Sequence, residues 1–278
     1  AAGGVTYAEA AMATEWISRD GLGWEQSRLL RQAGLRHGAT GRCGGVSQGA
    51  YESLNLSFQT GDAALHVLEN RRRLCQAVGM ELTKLTTCRQ TGEGHIVAVG
   101  PAEAGCGAGS VHTELAHTDA LMTNCAGLPL AVFTADSAPV ILFDPAHHAC
   151  AVGRAGLRET TTRLPAKMVL AMELVYGSIP ADLYAYVGPC AGAGHVEISE
   201  GFAQAVARMG PAYACCIGRG ARRTIDLKQI ARQLLTDAGL LPGHIDISPS
   251  CVYEEEERFF SYRRDFGRTG RMAAFAVL

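Results

Sequence analysis

From Leu128 to Glu159 the chain alternates apolar runs with short polar knuckles: LPLAVF is followed by TADS, APVILFD by PAHH, and ACAV by GRAG. Runs of about four to eight apolar residues, rich in β-branched side chains and bounded by turn formers, read as buried strands. By that reading HIVAVG, ALMTN, LPLAVFTAD, APVILFD, ACAVG, LYAYVG, 245–248 and 272–277 are strands. Leu65, Leu68 and Leu74 supply one apolar stripe, which predicts a helix capped by Asp62 and running through Ala77, with Arg71, Arg72 and Arg73 on a solvated face. Helices are also predicted over 160–176, 199–209 and 226–238, and EAGCGAGS reads as a flexible loop. Residues 1–40 have a weaker pattern with some helical character and form a lead-in, either part of the same domain or loosely ordered. Residues 41–278 alternate strand and helix without repeat or linker, which favours a single α/β domain.

Composition removes several classes of partner. A net charge of −2 provides no broad basic field to attract nucleic acid or an anionic membrane. No stretch reaches the ~20 apolar residues that cross a bilayer, and AAGGVTYAEAAMATEW lacks the pattern of a signal peptide, so a soluble cytoplasmic protein is expected. The ten cysteines are scattered with no C-x-x-C, which suits reduced, mostly buried thiols.

Three short patterns point to chemistry. GPCAGAGHVE, from Gly188, follows a strand and is either an anion-binding nest of backbone N–H groups or a plain turn. Within it, His195-Val196-Glu197 matches the H-x-E of zinc nucleobase deaminases but lacks their downstream P-C-x-x-C. His147-His148 and the spaced His112 and His117 offer imidazoles, with no spacing that makes them converge on a metal.

GGVSQGAYESLNL (44–56), ENRRRL (69–74), RQTGEGHIVAV (89–99), TDALMTN (118–124), FTADSAPVIL (133–142), AVGRAGLRE (151–159), VGPCAGAG (187–194) and ERFFSYRRDFGRTGRMAA (257–274) occur in one order. Together they resemble the laccase-domain family, whose members are called polyphenol oxidoreductases, peptidoglycan editing factors or purine nucleoside phosphorylases. The resemblance implies a single α/β/α domain with a mixed central sheet. It also implies phosphorolysis of purine nucleosides, adenosine deamination, copper-dependent phenol oxidation or cell-wall precursor editing. Purine nucleoside and phosphate, or another small anion, are the ligands it implies, and a protein partner or homo-oligomer stays open.

The family's metal ligands, for zinc or, in the laccase reading, copper, are a His in Q-V-H-G, a Cys in T-A-D-C and a His in A-H-A-G-W-R. Gapless alignment puts Gly92, Ser137 and Arg154 at those positions, and none is a normal zinc ligand. The expectation is therefore no bound metal. His95 lies three residues past the first position and on the opposite face of an extended segment. Cys190 and His195, on a loop the family places near its pocket, remain candidates for a relocated site.

Other family positions are retained: Ser47, Asn55, Asp136, Arg158 and the SYRRD run containing Arg263. Ser47, Asn55 and Asp136 are equally explained as turn caps, whereas Arg158 offers a permanently charged fork suited to phosphate. Arg154 and Arg158 together are expected to form an anion site where relatives hold zinc. Three functions follow: a metal-independent nucleoside phosphorylase, a pseudoenzyme that binds a nucleoside, anion or partner without turnover, or a copper-dependent polyphenol oxidase. The sequence leaves open whether the chain is an enzyme.

Overall fold

The computed structural model describes residues 13–278. Where a loosely ordered lead-in was one expectation, three strands run in succession: β1 (Thr14–Arg19), β2 (Leu22–Ser27) and β3 (Arg36–Thr40). They pair antiparallel, and β3 in turn pairs with β12 (Met272–Val277) at the far end of the sequence. Their short alternating pattern is too weak to read alone, because β12 supplies the neighbour that stabilises them. Residues 1–12 of the lead-in lie outside the described residues.

The α/β class holds, and the central layer is two mixed sheets rather than one. β7 (Leu130–Thr134) and β4 (Thr86–Thr87) complete the first, in the order β1-β2-β3-β12-β7-β4. The second runs β11 (Ile245–Ile247), β10 (Tyr184–Val187), β8 (Ala138–Asp144), β9 (Ala149–Ala155), β6 (Ala120–Thr123) and β5 (Ile96–Ala98). Ile141, Phe143, Val152 and Tyr186 from the second sheet meet Leu130, Val132 and Ala276 from the first. The alternate residues of the same strands face outward: Val140 and Leu142 against helices, Ala131 and Phe133 against another. Strands buried on both faces have no polar side, which is why these runs are apolar without alternation.

Helix α1 (Arg28–Gln32) links β2 to β3, and α2 (Ala64–Val78) covers the first sheet. The second sheet is covered by α4 (Leu164–Tyr176) and α7 (Leu227–Asp237), with α3 (Leu157–Thr162), α5 (Glu200–Ala207) and α6 (Pro211–Ala214) beside them. The helix expected over 160–176 is thus two. Arg163 takes a left-handed φ of 57° between α3 and α4, because Pro165 has no N–H to continue the ladder and its ring opposes the carbonyl four residues earlier. Among the described residues no helix is long and apolar enough to cross a membrane.

Two expectations about α2 are corrected. Its N-cap is Ala63, while the Asp62 carboxylate instead accepts from Ser47 Oγ (2.6 Å) and Asn55 Nδ2 (3.0 Å). Arg71 is not on a solvated face but 1% exposed. A helix turns about 100° per residue, so three consecutive arginines cannot share one side. Arg72 and Arg73 pair with Glu69 at the surface, whereas Arg71 shares the inner face with Val67, Leu74 and Val78. It donates to the carbonyls of Leu56, Gly107 and Ala108 and lies over the Phe58 and Phe133 rings. Glu114 faces it at 3.9 Å.

Replacing Arg71 by Met leaves those carbonyls without a donor and removes the cation facing Glu114, which keeps only its bond from Gln59, and urea unfolding is expected to show a loss of about 3–5 kcal/mol. His37 on β3 gives a pH prediction. Burial holds its imidazole down at about 4, and the neutral ring accepts from Ser27 N while its Nδ1 faces the Leu35 carbonyl. The unfolded chain binds a proton at this residue near its ordinary 6.5, so this contribution is complete above pH 6.5 and is lost as pH falls toward 4. The difference in stability between the chain and His37→Asn should shrink by about 3 kcal/mol across that window, read from urea unfolding at each pH.

Candidate active site

The knuckle TADS is where the chain leaves the first sheet for the second, between β7 and β8. Reversing direction in so few residues puts Asp136 at a left-handed φ of 86°, a conformation in which Asp is tolerated better than most residues. Its carboxylate is tied to a distant loop: Oδ1 accepts from Ser261 Oγ (2.6 Å) and Oδ2 from Arg263 N (2.7 Å). Burial raises the Asp136 pKa against the lowering effect of those bonds and of nearby arginines.

The knuckle GRAG ends β9 beside it, since β8 and β9 pair Pro139 with Arg154 and Ala138 with Ala155. A Cβ at Gly156 would stand 2.7 Å from Ser137 Oγ and 2.9 Å from Glu159 Oε2, so a side chain there would displace those groups. Glu159, buried in the first turn of α3, accepts from Arg154 Nε (3.2 Å) and Nη2 (2.6 Å) through one oxygen and from Gly156 N (3.1 Å) through the other.

The third wall comes from the segment after β4. Gln90 bridges the Phe133 backbone with both ends of its amide. Buried Asp119 accepts three backbone N–H groups, from Thr91 (2.7 Å), Gly92 (2.6 Å) and Gly94 (2.7 Å). That nest holds Gly92 at a φ of 80°, where a Cβ would meet Arg158 Cδ at 2.7 Å and Cβ at 2.9 Å. Arg158 therefore occupies the space a side chain at 92 would need, and its Nη1 donates to Thr91 O (3.1 Å).

These walls enclose a cavity of about 730 Å³, whose lining includes Asp136, Ser137, Arg154, Arg158, Tyr262 and Arg263. Among the described residues the Arg263 guanidinium has no hydrogen bond or ion pair within the chain. With both lining carboxylates, Asp136 and Glu159, ionised, three arginines still leave the cavity positive. Phe266, 96% exposed, stands at the rim.

Of the residues expected from sequence, Asp136, Ser137, Arg154, Arg158 and Arg263 come together, with Gly92 directly behind Arg158. Ser47 and Asn55 do not line the cavity. Both close a buried network with Asp62 and Asn70, and Asn55 Oδ1 receives Arg271 N (3.0 Å). Glu159 was missed, because nothing in GLRE shows that its carboxylate folds back onto Arg154. Tyr262 and Phe266 were missed within a motif already noted, since exposed aromatics carry no periodic signal.

Residues 36–278 match the family model described as multi-copper polyphenol oxidoreductase laccase. The chain belongs to this family. Among its laccase-like relatives, purine nucleoside phosphorylase YlmD of Bacillus subtilis (strain 168) is 32% identical over 240 residues, 86% of each chain. Purine nucleoside phosphorylase YfiH of Escherichia coli (strain K12) is 33% identical over 238 residues, 85% of this chain and 91% of that one. The crystal structure of YlmD from Geobacillus stearothermophilus superposes with a TM-score of 0.90 at 30% identity, covering 95% of this chain and 98% of the other.

The remaining motifs lie outside the arginine cavity. The backbone of the Gly188 loop is used internally, with Gly188 N on Pro139 O, Ala191 N on Asp136 O and Gly192 N on Cys251 Sγ. Glu197 pairs with Arg222 at the surface while His195 pairs with Glu254, so the H-x-E residues do not act on one point. His147 closes its own turn on Asp144, and His117 and His95 flank exposed Glu93. Cys190 is buried, its thiol raised to about 12 by burial, with Sγ on the Ala191 carbonyl.

Substituting Gly92 by Ala should displace Arg158 from Thr91 and cost about 1–2 kcal/mol from the left-handed backbone. A thermal melt and a crystal structure of the variant check both effects.

Proposed function

We propose that the laccase-like chain binds a purine nucleoside and phosphate in the arginine cavity and carries out phosphorolysis without a metal there. The observation that carries this reading is the positive cavity in which Arg263 has no internal partner and Arg158 is only lightly held. Relatives bearing the name purine nucleoside phosphorylase support the substrate class.

The residues at the family's ligand positions do not fit zinc or copper. Gly92 has no donor, Ser137 offers a neutral hydroxyl, and Arg154 is a cation already paired with Glu159. The chemistry in this cavity is therefore metal-independent, and deamination, which needs an activated water, is not among its reactions. Arg154 contributes less than a free cation would, because Glu159 offsets its charge; the anion is gripped by Arg158 and Arg263.

A phosphate oxygen held by those guanidiniums attacks ribose C1′ as the bond to the purine nitrogen breaks. The proton of the bound phosphate passes to the departing base, giving ribose 1-phosphate and free purine. Positioning two reactants and stabilising the anion supply the rate advantage, and the Tyr262 and Phe266 rings frame the base at the rim. The same positions also suit a second reading, in which nucleoside and anion bind without turnover, since the replaced ligands remove the family's metal from this site.

Chelator-treated protein should release hypoxanthine from inosine only when phosphate is present, and Arg158→Ala should raise the KM for phosphate about tenfold or more. Binding of inosine and phosphate without product would establish the second reading. Absence of both binding and turnover, or activity only with added copper, would overturn the proposal.

A further inference from the structure

A second cavity, of about 390 Å³, opens where the loop after β10 meets the loop after β11. The two loops are locked in register: Cys190 and Cys251 form a parallel backbone bridge, and Val252 N donates to Cys190 O (3.1 Å). That register brings His195 to Cys251 and Glu254, three ligand types from two loops. His195 nitrogen, Cys251 sulfur and a Glu254 oxygen all lie within 4.8 Å of one another, and no other such trio of His, Cys, Asp and Glu occurs among the described residues.

We infer that His195, Cys251 and Glu254 form a binding site for a zinc-class divalent cation, distinct from the arginine cavity. An imidazole, a thiolate and a carboxylate are the ligands Zn²⁺ takes, and three protein ligands leave a fourth position for water or another small ligand from the cavity. The local structure prepares each donor. Cys251 Sγ accepts Gly192 N–H (3.1 Å), which fixes the position of the sulfur. The His195 ring is stacked on Tyr253, 4.1 Å between centroids at 11°, which fixes its plane. His195 Nε2 and Glu254 Oε1 sit 2.8 Å apart in a hydrogen bond whose place the cation would take. All three side chains are reachable, Cys251 and His195 partly and Glu254 openly. The Lys228 ammonium on the cavity wall is held by the carbonyls of Ser248 and Ser250.

A nucleophilic thiol with a histidine base would use the same residue types, but it requires a direct thiol–imidazole contact. Here the hydrogen bond to Cys251 sulfur comes from Gly192, and that of His195 goes to Glu254. Convergence without that contact favours a cation at the centre. Ala191 N donates to Asp136 O (2.9 Å), so the two cavities share a backbone wall while their side chains stay separate.

The test is equilibrium dialysis of the full, chelator-stripped chain against Zn²⁺ alone, with metal counted by mass spectrometry, and Co²⁺ substitution read for a thiolate-to-cobalt charge-transfer band. One zinc per chain is expected, with about 100-fold weaker binding in Cys251→Ser and His195→Asn and about tenfold in Glu254→Gln. The cobalt band should vanish in Cys251→Ser, and Arg154→Ala should keep full zinc stoichiometry. Circular dichroism identifies a variant that fails to fold, and exposed Glu254→Gln carries the test if Cys251→Ser does. Absence of stoichiometric zinc, zinc that persists unchanged in all three ligand variants, or zinc lost in folded Arg154→Ala would overturn the inference. Phosphorolysis by the stripped chain is measured separately, so either result can fail without the other.

Discussion

Asp136 ties together the parts from which the arginine cavity is made. Its backbone turns the chain from the first sheet into the second, and its carboxylate holds Ser261 and Arg263 on the loop that forms the opposite wall. The cost of a buried carboxyl in a left-handed conformation is offset by two hydrogen bonds across a long sequence separation. Ser137, Tyr262, Arg263 and Phe266 all take their positions from that junction. A cavity at the carboxyl end of β7 and at the close of β9 follows from where the two sheets part.

Charge compensation in the cavity is local and uneven. Arg154 and Glu159 neutralise each other within hydrogen-bond distance, and Glu159 also closes the turn that starts α3. Arg158 lies in space that exists because position 92 is Gly, and Gly92 is held there by buried Asp119. The residues at 92 and 154 are thus coupled to their neighbours: the missing side chain of Gly92 gives room to one guanidinium, and a carboxylate balances that of Arg154.

Buried polar groups recur as the means of fixing loops. Asp119 gathers three N–H groups, Asp62 and Asn70 close the Ser47 and Asn55 turns, and Arg71 collects three carbonyls from separate segments. Each is a side chain satisfying backbone groups that no strand or helix pairs. Several family-like residues, Ser47 and Asn55 among them, have this role rather than a place at the cavity.

Much of the fold was legible in sequence because the middle strands are apolar on both faces. LAVFT, APVILFD and ACAVG, together with the C-terminal strand, appear within a few residues of where they were expected. The motifs likewise indicated the cavity, since TADS, GRAG and SYRRD mark chain reversals. The tertiary structure decided what periodicity cannot carry: that these strands divide between two sheets, that residues 14–40 join them, and that Arg71 turns inward. It also decided that Glu159 reaches Arg154 and that His195 meets Cys251 and Glu254. The reason is physical: hydrophobic period records which side of an element is buried, whereas a contact between polar groups far apart in sequence exists only once packing has brought their loops together.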